Sequence, residues 1–174
     1  MPYHPSAKRA FVLLLVALGA LGCSASGMSG GIYRGDGFAF RLVEPGAGWQ
    51  RIDSDAALAY RDDAIGATIV VNARCGLEGD DIPLASLTQH LFLQFTEREI
   101  TTQEVVPFDG REAMHTMMDA KLDGVPMSYD VWVLKKDGCV YDMLYLAPPN
   151  SFERGLSAFN QLVGGFATAH AETP

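Results

Sequence analysis

The chain has 174 residues, of which 48% are hydrophobic and 20% are charged, a balance typical of a globular protein rather than a disordered or membrane-embedded one. This length suits one domain of ordinary size and is short for two. The formal net charge of -8 argues against nucleic acid as a partner, because an acidic surface is repelled by phosphate backbones.

The first 22 residues have the pattern of a secretory signal peptide. Lys8 and Arg9 precede Ala10–Gly22, a run of 13 residues without a charge. This run is shorter than the roughly 20 apolar residues that a membrane-spanning helix needs. The sequence therefore predicts a signal peptide at residues 1–22.

Small residues precede Cys23 in the order Gly19-Ala20-Leu21-Gly22, and this arrangement resembles the lipobox of bacterial lipoproteins. The resemblance implies a diacylglycerol thioether on Cys23, cleavage before it, and acylation of the new amine by a fatty acid such as palmitate. Several acyl chains on one residue anchor a protein firmly. The alternatives are a cleaved signal with an unmodified cysteine and an uncleaved membrane anchor.

These features predict a lipid-anchored protein of the bacterial cell envelope. Ser24 follows the cysteine, where enterobacterial lipoproteins retained in the inner membrane carry Asp. We therefore expect the protein to be held in the outer membrane, facing the periplasm.

Residues 23–37 are rich in glycine and serine and are predicted to form a flexible tether before a folded domain at residues 38–170. The tether contains Gly27-Met28-Ser29-Gly30-Gly31, a formal match to the G-x-S-x-G nucleophile elbow. That motif works on a sharp turn between a strand and a helix in a large hydrolase sheet. No such context surrounds Ser29, so we do not predict a catalytic serine.

The first part of the domain reads as strands. Phe38, Phe40 and Leu42 alternate with other residues, as in a half-buried strand. A short strand is predicted at Ala57–Arg61. The β-branched run at Ala67–Ala73 predicts a central strand that is covered on both faces.

Two helices are predicted from apolar residues at helical spacing. The first runs from about Pro83 to Glu97. The second begins after Pro149, where Asn150 and Glu153 have the spacing of a capping box. Gly164-Gly165 marks its expected C-terminal cap.

Between the helices, three Asp-Gly pairs recur at intervals of 14 residues: Asp109-Gly110, Asp123-Gly124 and Asp137-Gly138. Asp-Gly tolerates the two positive φ angles of a type I′ turn, so each pair predicts a tight β-hairpin. The result is a four-stranded antiparallel meander. Its predicted strands are Ile100–Phe108, Arg111–Leu122, Val125–Lys136 and Cys139–Ala147.

Tight turns fix the register of the meander, so its two faces can be read from the sequence. Even-numbered residues of 114–122 and odd-numbered residues of 125–133 point to one face, and the other carries His115, Met117 and Trp132. Both faces are largely apolar and need a cover. We therefore predict an α+β fold in which helices cover both faces of an antiparallel meander, an α/β/α sandwich.

The order of these elements resembles that of the PsbP-like fold, which DcrB-type bacterial lipoproteins share. The matching features are Phe38-Ala39-Phe40, Pro45 and Trp49, then a helix, a Gly-turned meander, and a closing helix that ends in Gly165-Phe166. Members of this family are accessory, assembly or binding proteins. The resemblance implies the same kind of role here and maps no catalytic residue onto this chain.

Cys75 and Cys139 are the cysteines that remain after Cys23. Cys75 ends the predicted central strand and Cys139 begins the last strand of the meander, so the two meet if these strands are antiparallel neighbours. An exported location permits a disulfide, which is our prediction. Two buried thiols, or a reactive or metal-binding pair, are the alternatives.

The predicted register places Glu104 opposite His115 and His115 opposite Trp132, with Met143 on the next strand. A carboxylate beside a histidine can make it a general base or a pH switch, and the aromatic ring and thioether could contact an apolar ligand. The simpler interpretation is a polar pair across two strands.

No spacing of residues indicates a metal site or a cofactor. Glu78, Asp80 and Asp81 could attract a calcium ion, but helix capping already explains the aspartates. We predict a non-enzymatic binding or assembly module whose partner is an envelope protein or lipid. The alternative is a small enzyme or ligand-binding protein that uses Glu104 and His115.

Overall fold

A computed structural model describes residues 27–76 and 82–170. The elements, in chain order, are β1 Gly27–Ser29, β2 Ile32–Gly35, β3 Phe38–Arg41, β4 Gln50–Arg51, β5 Leu58–Asp62, β6 Ala67–Cys75, α1 Leu84–Leu91, β7 Phe95–Phe108, β8 Arg111–Leu122, β9 Val125–Lys136, β10 Cys139–Ala147, α2 Phe152–Gly165 and β11 Ala167–Ala169. Neither helix of the described ranges is long and apolar enough to cross a membrane.

The strands form two antiparallel sheets. The large sheet has the order β4-β5-β6-β10-β9-β8-β7, and the small sheet has the order β1-β2-β3-β11. Asp109, Asp123 and Asp137 have φ angles of 47°, 52° and 53°, and the glycine after each is also in the left-handed region. The predicted type I′ hairpins are therefore confirmed, and the predicted limits of β8, β9 and β10 are correct.

Each face of the large sheet has its own apolar core. On one face, α2 and the small sheet pack over β6 and β10, with Phe40, Met143 and Phe159 fully buried. On the other face, α1 packs over β8 and β9, with Leu87 and Val131 in its core. The predicted α+β class, with a helix on each face, is confirmed, and the small sheet completes the cover on the α2 side.

The prediction of a flexible tether at residues 23–37 is wrong from Gly27 onward. Strands β1 and β2 form a hairpin that pairs with β3, and Tyr33 is buried against Phe40, with their ring centroids 5.1 Å apart. The G-x-S-x-G segment is the first arm and turn of this hairpin. Burial of Tyr33 offsets the conformational freedom of the surrounding glycines, which composition alone could not reveal.

The first helix is shorter than predicted. It ends at Leu91 rather than Glu97, and Phe95 already begins β7. The ring of Phe95 stacks on Tyr129 of β9 at 4.6 Å, and β-branched residues follow it in the chain. Helical spacing of the apolar residues was thus overridden by pairing with β8 and by packing on the sheet.

The predicted caps of the last helix do not form. Helix α2 begins after Ser151, whose side chain makes no capping bond and instead donates to the Ile65 carbonyl oxygen at 2.7 Å. At the other end, Gly165 is not in the left-handed region. It lies so close to Val43 that an added Cβ would meet the Val43 backbone nitrogen at 2.9 Å, so close packing explains this glycine.

A polar cluster around Asp109 joins the small sheet to the large sheet. Asp109, in the turn between β7 and β8, accepts hydrogen bonds at 2.9 Å from the Thr168 backbone N–H, the Thr168 hydroxyl and Lys136 Nζ. Thr168 lies in β11, so this carboxylate ties the small sheet to the end of the meander.

The predicted disulfide between Cys75 and Cys139 is confirmed. The two residues are register partners on β6 and β10, with Cα atoms 4.1 Å apart. The bridge closes a segment of 64 residues, which corresponds to roughly 4 kcal/mol of stabilisation when the entropy of the unfolded chain alone is counted.

Candidate functional site

The candidate site lies where β7, β8 and β9 run side by side. The observed register pairs Glu104 with His115, His115 with Trp132, and Trp132 with Met143, as the sequence predicted. The three Asp-Gly turns fix this register, because a two-residue hairpin leaves no freedom to slip.

The imidazole of His115 contacts groups on both neighbouring strands. Its Nε2 lies 2.8 Å from Asp130 Oδ1, and its Nδ1 lies 3.8 Å from Glu104 Oε1. The ring also stacks on Trp132, with centroids 4.3 Å apart and planes inclined by 22°. Side-chain exposure falls from 58% for Glu104 through 15% for His115 to 4% for Asp130, so the cluster runs from solvent into the sheet.

Asp130 is the member of the site that the sequence analysis missed. Asp130 precedes Trp132 by two residues on β9, so both side chains point to the same face of the sheet. In the register, Asp130 lies opposite Met117. A buried carboxylate among apolar neighbours needs a hydrogen-bond donor. An aspartate in an otherwise apolar strand was therefore the sequence signal that could have identified Asp130.

The surroundings of His115 favour its protonated form. Burial is the largest single influence and lowers the pKa of the ring, because a charged imidazole loses solvation there. The hydrogen bond and negative charge of Asp130 oppose burial, and Glu104 adds to them. Together they raise the pKa of His115 above its ordinary value of 6.5.

Trp132 is held between two rings. His115 stacks on the indole. The Phe108 ring makes a second, tilted contact, with its centroid 5.3 Å from that of Trp132. The indole Nε1 is buried and has no hydrogen-bond acceptor within the described residues. An unpaired buried donor of this kind costs about 1–3 kcal/mol.

Met143 is not available to a surface ligand, so the predicted ligand contact is wrong for this residue. Its side chain is fully buried in the core beneath α2 and the small sheet. The predicted register of Met143 is correct, but α2 and the small sheet cover the sheet at β10, whereas they leave the same face uncovered near β7.

The face around His115 remains open because α2 lies against β10 and β6 rather than against β7 and β8. We call the uncovered part the β7–β8 shelf. It consists of Thr102, Glu104, Val106, His115 and Met117. Glu104 is exposed, and the other four residues are half-buried.

Three clefts on the described part of the chain are lined by residues outside the His115 cluster. The first, of about 260 Å³, lies between Met117 and Asp119 of β8 and Phe152 and Glu153 of α2. The second, of about 420 Å³, lies beside Pro83, and the third, of about 310 Å³, lies beside Cys139. His115 lines none of these three clefts, whereas Met117 of the β7–β8 shelf lines the first.

Within residues 27–76 and 82–170, no group of three or more His, Cys, Asp or Glu side chains could hold a metal ion. The acidic residues Glu78, Asp80 and Asp81, and the predicted lipidation site Cys23, lie outside the described residues.

Solved structures share this architecture. LpqN, a Mycobacterium tuberculosis protein involved in cell envelope biogenesis, superposes with a TM-score of 0.56 at 15% identity, over 75% of this chain and 83% of LpqN. CyanoP, the cyanobacterial PsbP of Synechocystis sp. PCC 6803, also gives 0.56 at 15% identity, over 89% of this chain and 99% of its own. The fold is PsbP-like.

A longer protein from Bacteroides thetaiotaomicron also superposes, with a TM-score of 0.54 at 10% identity over 83% of this chain and 50% of that one. At these identities, the similarities establish the fold alone. No protein-family model matches the chain, and no curated protein is significantly similar to it in sequence.

The raised pKa of His115 predicts a pH-dependent contribution to the stability of the PsbP-like domain. Because the pKa is higher in the folded protein, this contribution is complete below the unfolded-state pKa of about 6.5 and is lost as the pH rises through the folded-state pKa. We expect His115→Gln to lower the free energy of unfolding by about 1 kcal/mol at pH 5.5, and by less at pH 9.

Urea unfolding followed by circular dichroism at the two pH values measures this difference. His90→Gln, at an exposed position on α1, is the control and should have little effect at either pH. An equal loss for His115→Gln at pH 5.5 and pH 9 would contradict the assigned role of Asp130.

Proposed function

We propose that this protein is a lipid-anchored component of the bacterial cell envelope whose PsbP-like domain binds a partner and catalyses no reaction. The observation that carries the proposal is the β7–β8 shelf, an uncovered face on which the reactive-looking histidine is already engaged by its own neighbours. The proposed partner is an envelope protein or lipid, as the sequence analysis expects.

The bonding of His115 supports binding over catalysis. A general base needs a free nitrogen within hydrogen-bond reach of a substrate proton. Here Nε2 is tied to the buried Asp130, Nδ1 faces Glu104, and one ring face is covered by Trp132. Among the described residues, no serine, threonine or cysteine is hydrogen-bonded to His115, so no activated nucleophile is present there.

The shelf has the chemical character of a binding surface. It combines the half-buried side chains of Val106 and Met117 with the exposed carboxylate of Glu104. The unpaired Nε1 of Trp132 lies on the neighbouring strand β9 and would gain an acceptor if a partner reached it. Apolar area supplies affinity, and the few polar groups supply orientation.

The N-terminal segment supports the anchor. Lys8 and Arg9, the apolar run at Ala10–Gly22, and Cys23 follow one another as in a lipoprotein signal. LpqN, which has a similar fold, is described as involved in cell envelope biogenesis, and this agrees with an envelope location without establishing it.

Replacement of Cys23 tests the anchor. We expect cells that express the wild-type chain with a clickable fatty acid to yield a labelled, membrane-bound protein. Cys23→Ser should carry no label and should leave the membrane fraction, because its acyl chains are absent. The neighbouring Ser24→Ala is the control and should behave as wild type. A labelled, membrane-bound Cys23→Ser protein would overturn the proposed anchor.

Complementation of a deletion strain tests binding against catalysis. If the domain only binds, His115→Gln should restore the wild-type phenotype, because the variant keeps the shape of the shelf and loses about 1 kcal/mol of stability. Abundance and membrane fractionation must be measured for the same strain. Loss of the phenotype in a folded, abundant and membrane-bound His115→Gln protein would favour an enzyme if the matched shelf variant Val106→Ala, which reduces apolar contact area and removes no ionisable group, still restores the phenotype.

A further inference from the structure

We propose that the end of the domain that carries the β2–β3 turn rests on phospholipid headgroups, with the Arg34 guanidinium against lipid phosphates. This inference rests on the proposed lipid anchor at Cys23. It adds an orientation and a lipid-contacting surface, neither of which follows from the anchor alone.

A short linker joins the proposed anchor at Cys23 to the folded domain. Strand β1 begins at Gly27, so three residues separate Cys23 from the folded domain. A chain spans at most 3.3–3.6 Å per residue, which limits the separation of Cys23 and Gly27 to about 14 Å. Acyl chains on Cys23 would therefore hold Gly27 close to the headgroup layer.

Gly27 lies at the same end of the small sheet as the β2–β3 turn. Gly27 pairs with Arg34, and the turn at Asp36-Gly37 follows at the same end of the small sheet. The Gly37 carbonyl oxygen lies 3.5 Å from Cys75 Sγ, next to the disulfide that joins β6 to β10. Gly27, Arg34, the β2–β3 turn and the disulfide thus lie at one end of the domain.

The opposite end is far from this anchor. Strand β8 has 12 residues, from Arg111 next to one hairpin turn to Leu122 next to the other. At about 3.4 Å per residue, such a strand is roughly 40 Å long. Val125 and Leu93, which are 57% and 74% exposed, lie near the second turn, where Phe95 pairs with Leu122.

Arg34 is a cation at this end that can contact lipid. It is exposed beside Gly27, and a guanidinium suits phosphate because its planar N–H groups can bind two oxygens. The same end also carries the exposed carboxylates of Asp36 and Asp137, so the short linker, rather than net charge, sets the orientation.

Fluorescence quenching measures the orientation. The full-length, lipidated protein is reconstituted into vesicles of phosphatidylethanolamine and phosphatidylglycerol that contain a headgroup quencher. A fluorophore is attached through Asp36→Cys in one sample and through Val125→Cys in a matched sample, with the native disulfide intact. We expect at least threefold stronger quenching at position 36, because quenching falls steeply over the roughly 40 Å between the two ends.

Two further variants test the cause. Insertion of 15 Gly and Ser residues between Ser26 and Gly27 should remove most of the difference, because the limit on chain length is lifted. Arg34→Glu should weaken quenching at position 36, and Arg41→Glu, an exposed change at the other end of the small sheet, should not.

Vesicle flotation separates the two proposals. Equal quenching at positions 36 and 125 in protein that floats with the vesicles would overturn the orientation and leave the anchor intact. If the wild-type protein purified from membranes carries no acyl chains and does not float with the vesicles, the proposed anchor and the proposed orientation are both wrong. Stronger quenching at position 36, lost on insertion of the long linker, supports the orientation.

Discussion

The structure depends on the need to cover central strands that are largely apolar on both faces. On β10, Met143 and Tyr145 point to one side and are fully buried, while Val140 is fully buried on the other. Apolar area on both sides cannot be hidden by a single layer. Helix α2 and the small sheet cover one face, α1 covers the other, and the chain order of strands, helix, meander and helix follows from that division.

One cover lies over β10 and β6 and the other lies over β9 and β8, so both end before the edge strand β7. Strand β7 is an edge strand with most of its residues exposed, and the face that it shares with β8 is only partly buried. A site that keeps some solvent can hold the His115–Asp130 pair and the exposed Glu104, whereas the fully covered face beside Met143 has no such group. The β7–β8 shelf is thus a consequence of where the covers stop.

Local turn chemistry made much of this predictable from the sequence. Asp-Gly pairs at equal intervals fixed the register of the meander, and the register placed Glu104, His115 and Trp132 side by side. The pairing of Cys75 with Cys139 was predictable because the end of one predicted strand meets the start of an antiparallel neighbour. What could not be predicted depends on contacts between residues far apart in the chain. The pairing of β2 with β3, the early end of α1 against Tyr129, and the burial of Asp130 beneath His115 are set by packing that has no local pattern.

The close approach of α2 to the sheet provides the most direct test of this account. A Cβ added at Gly155 would meet Tyr145 Oη at 2.6 Å and Ile65 Cδ1 at 2.9 Å, whereas one added at Gly164 of the same helix would meet nothing within 4 Å. Urea unfolding of Gly155→Ala should show a loss of about 1–3 kcal/mol, because the cover is forced away from the sheet. Gly164→Ala should instead gain about 0.5–1 kcal/mol from helix propensity. Equal stability changes in the two variants would contradict a tightly packed cover over β10.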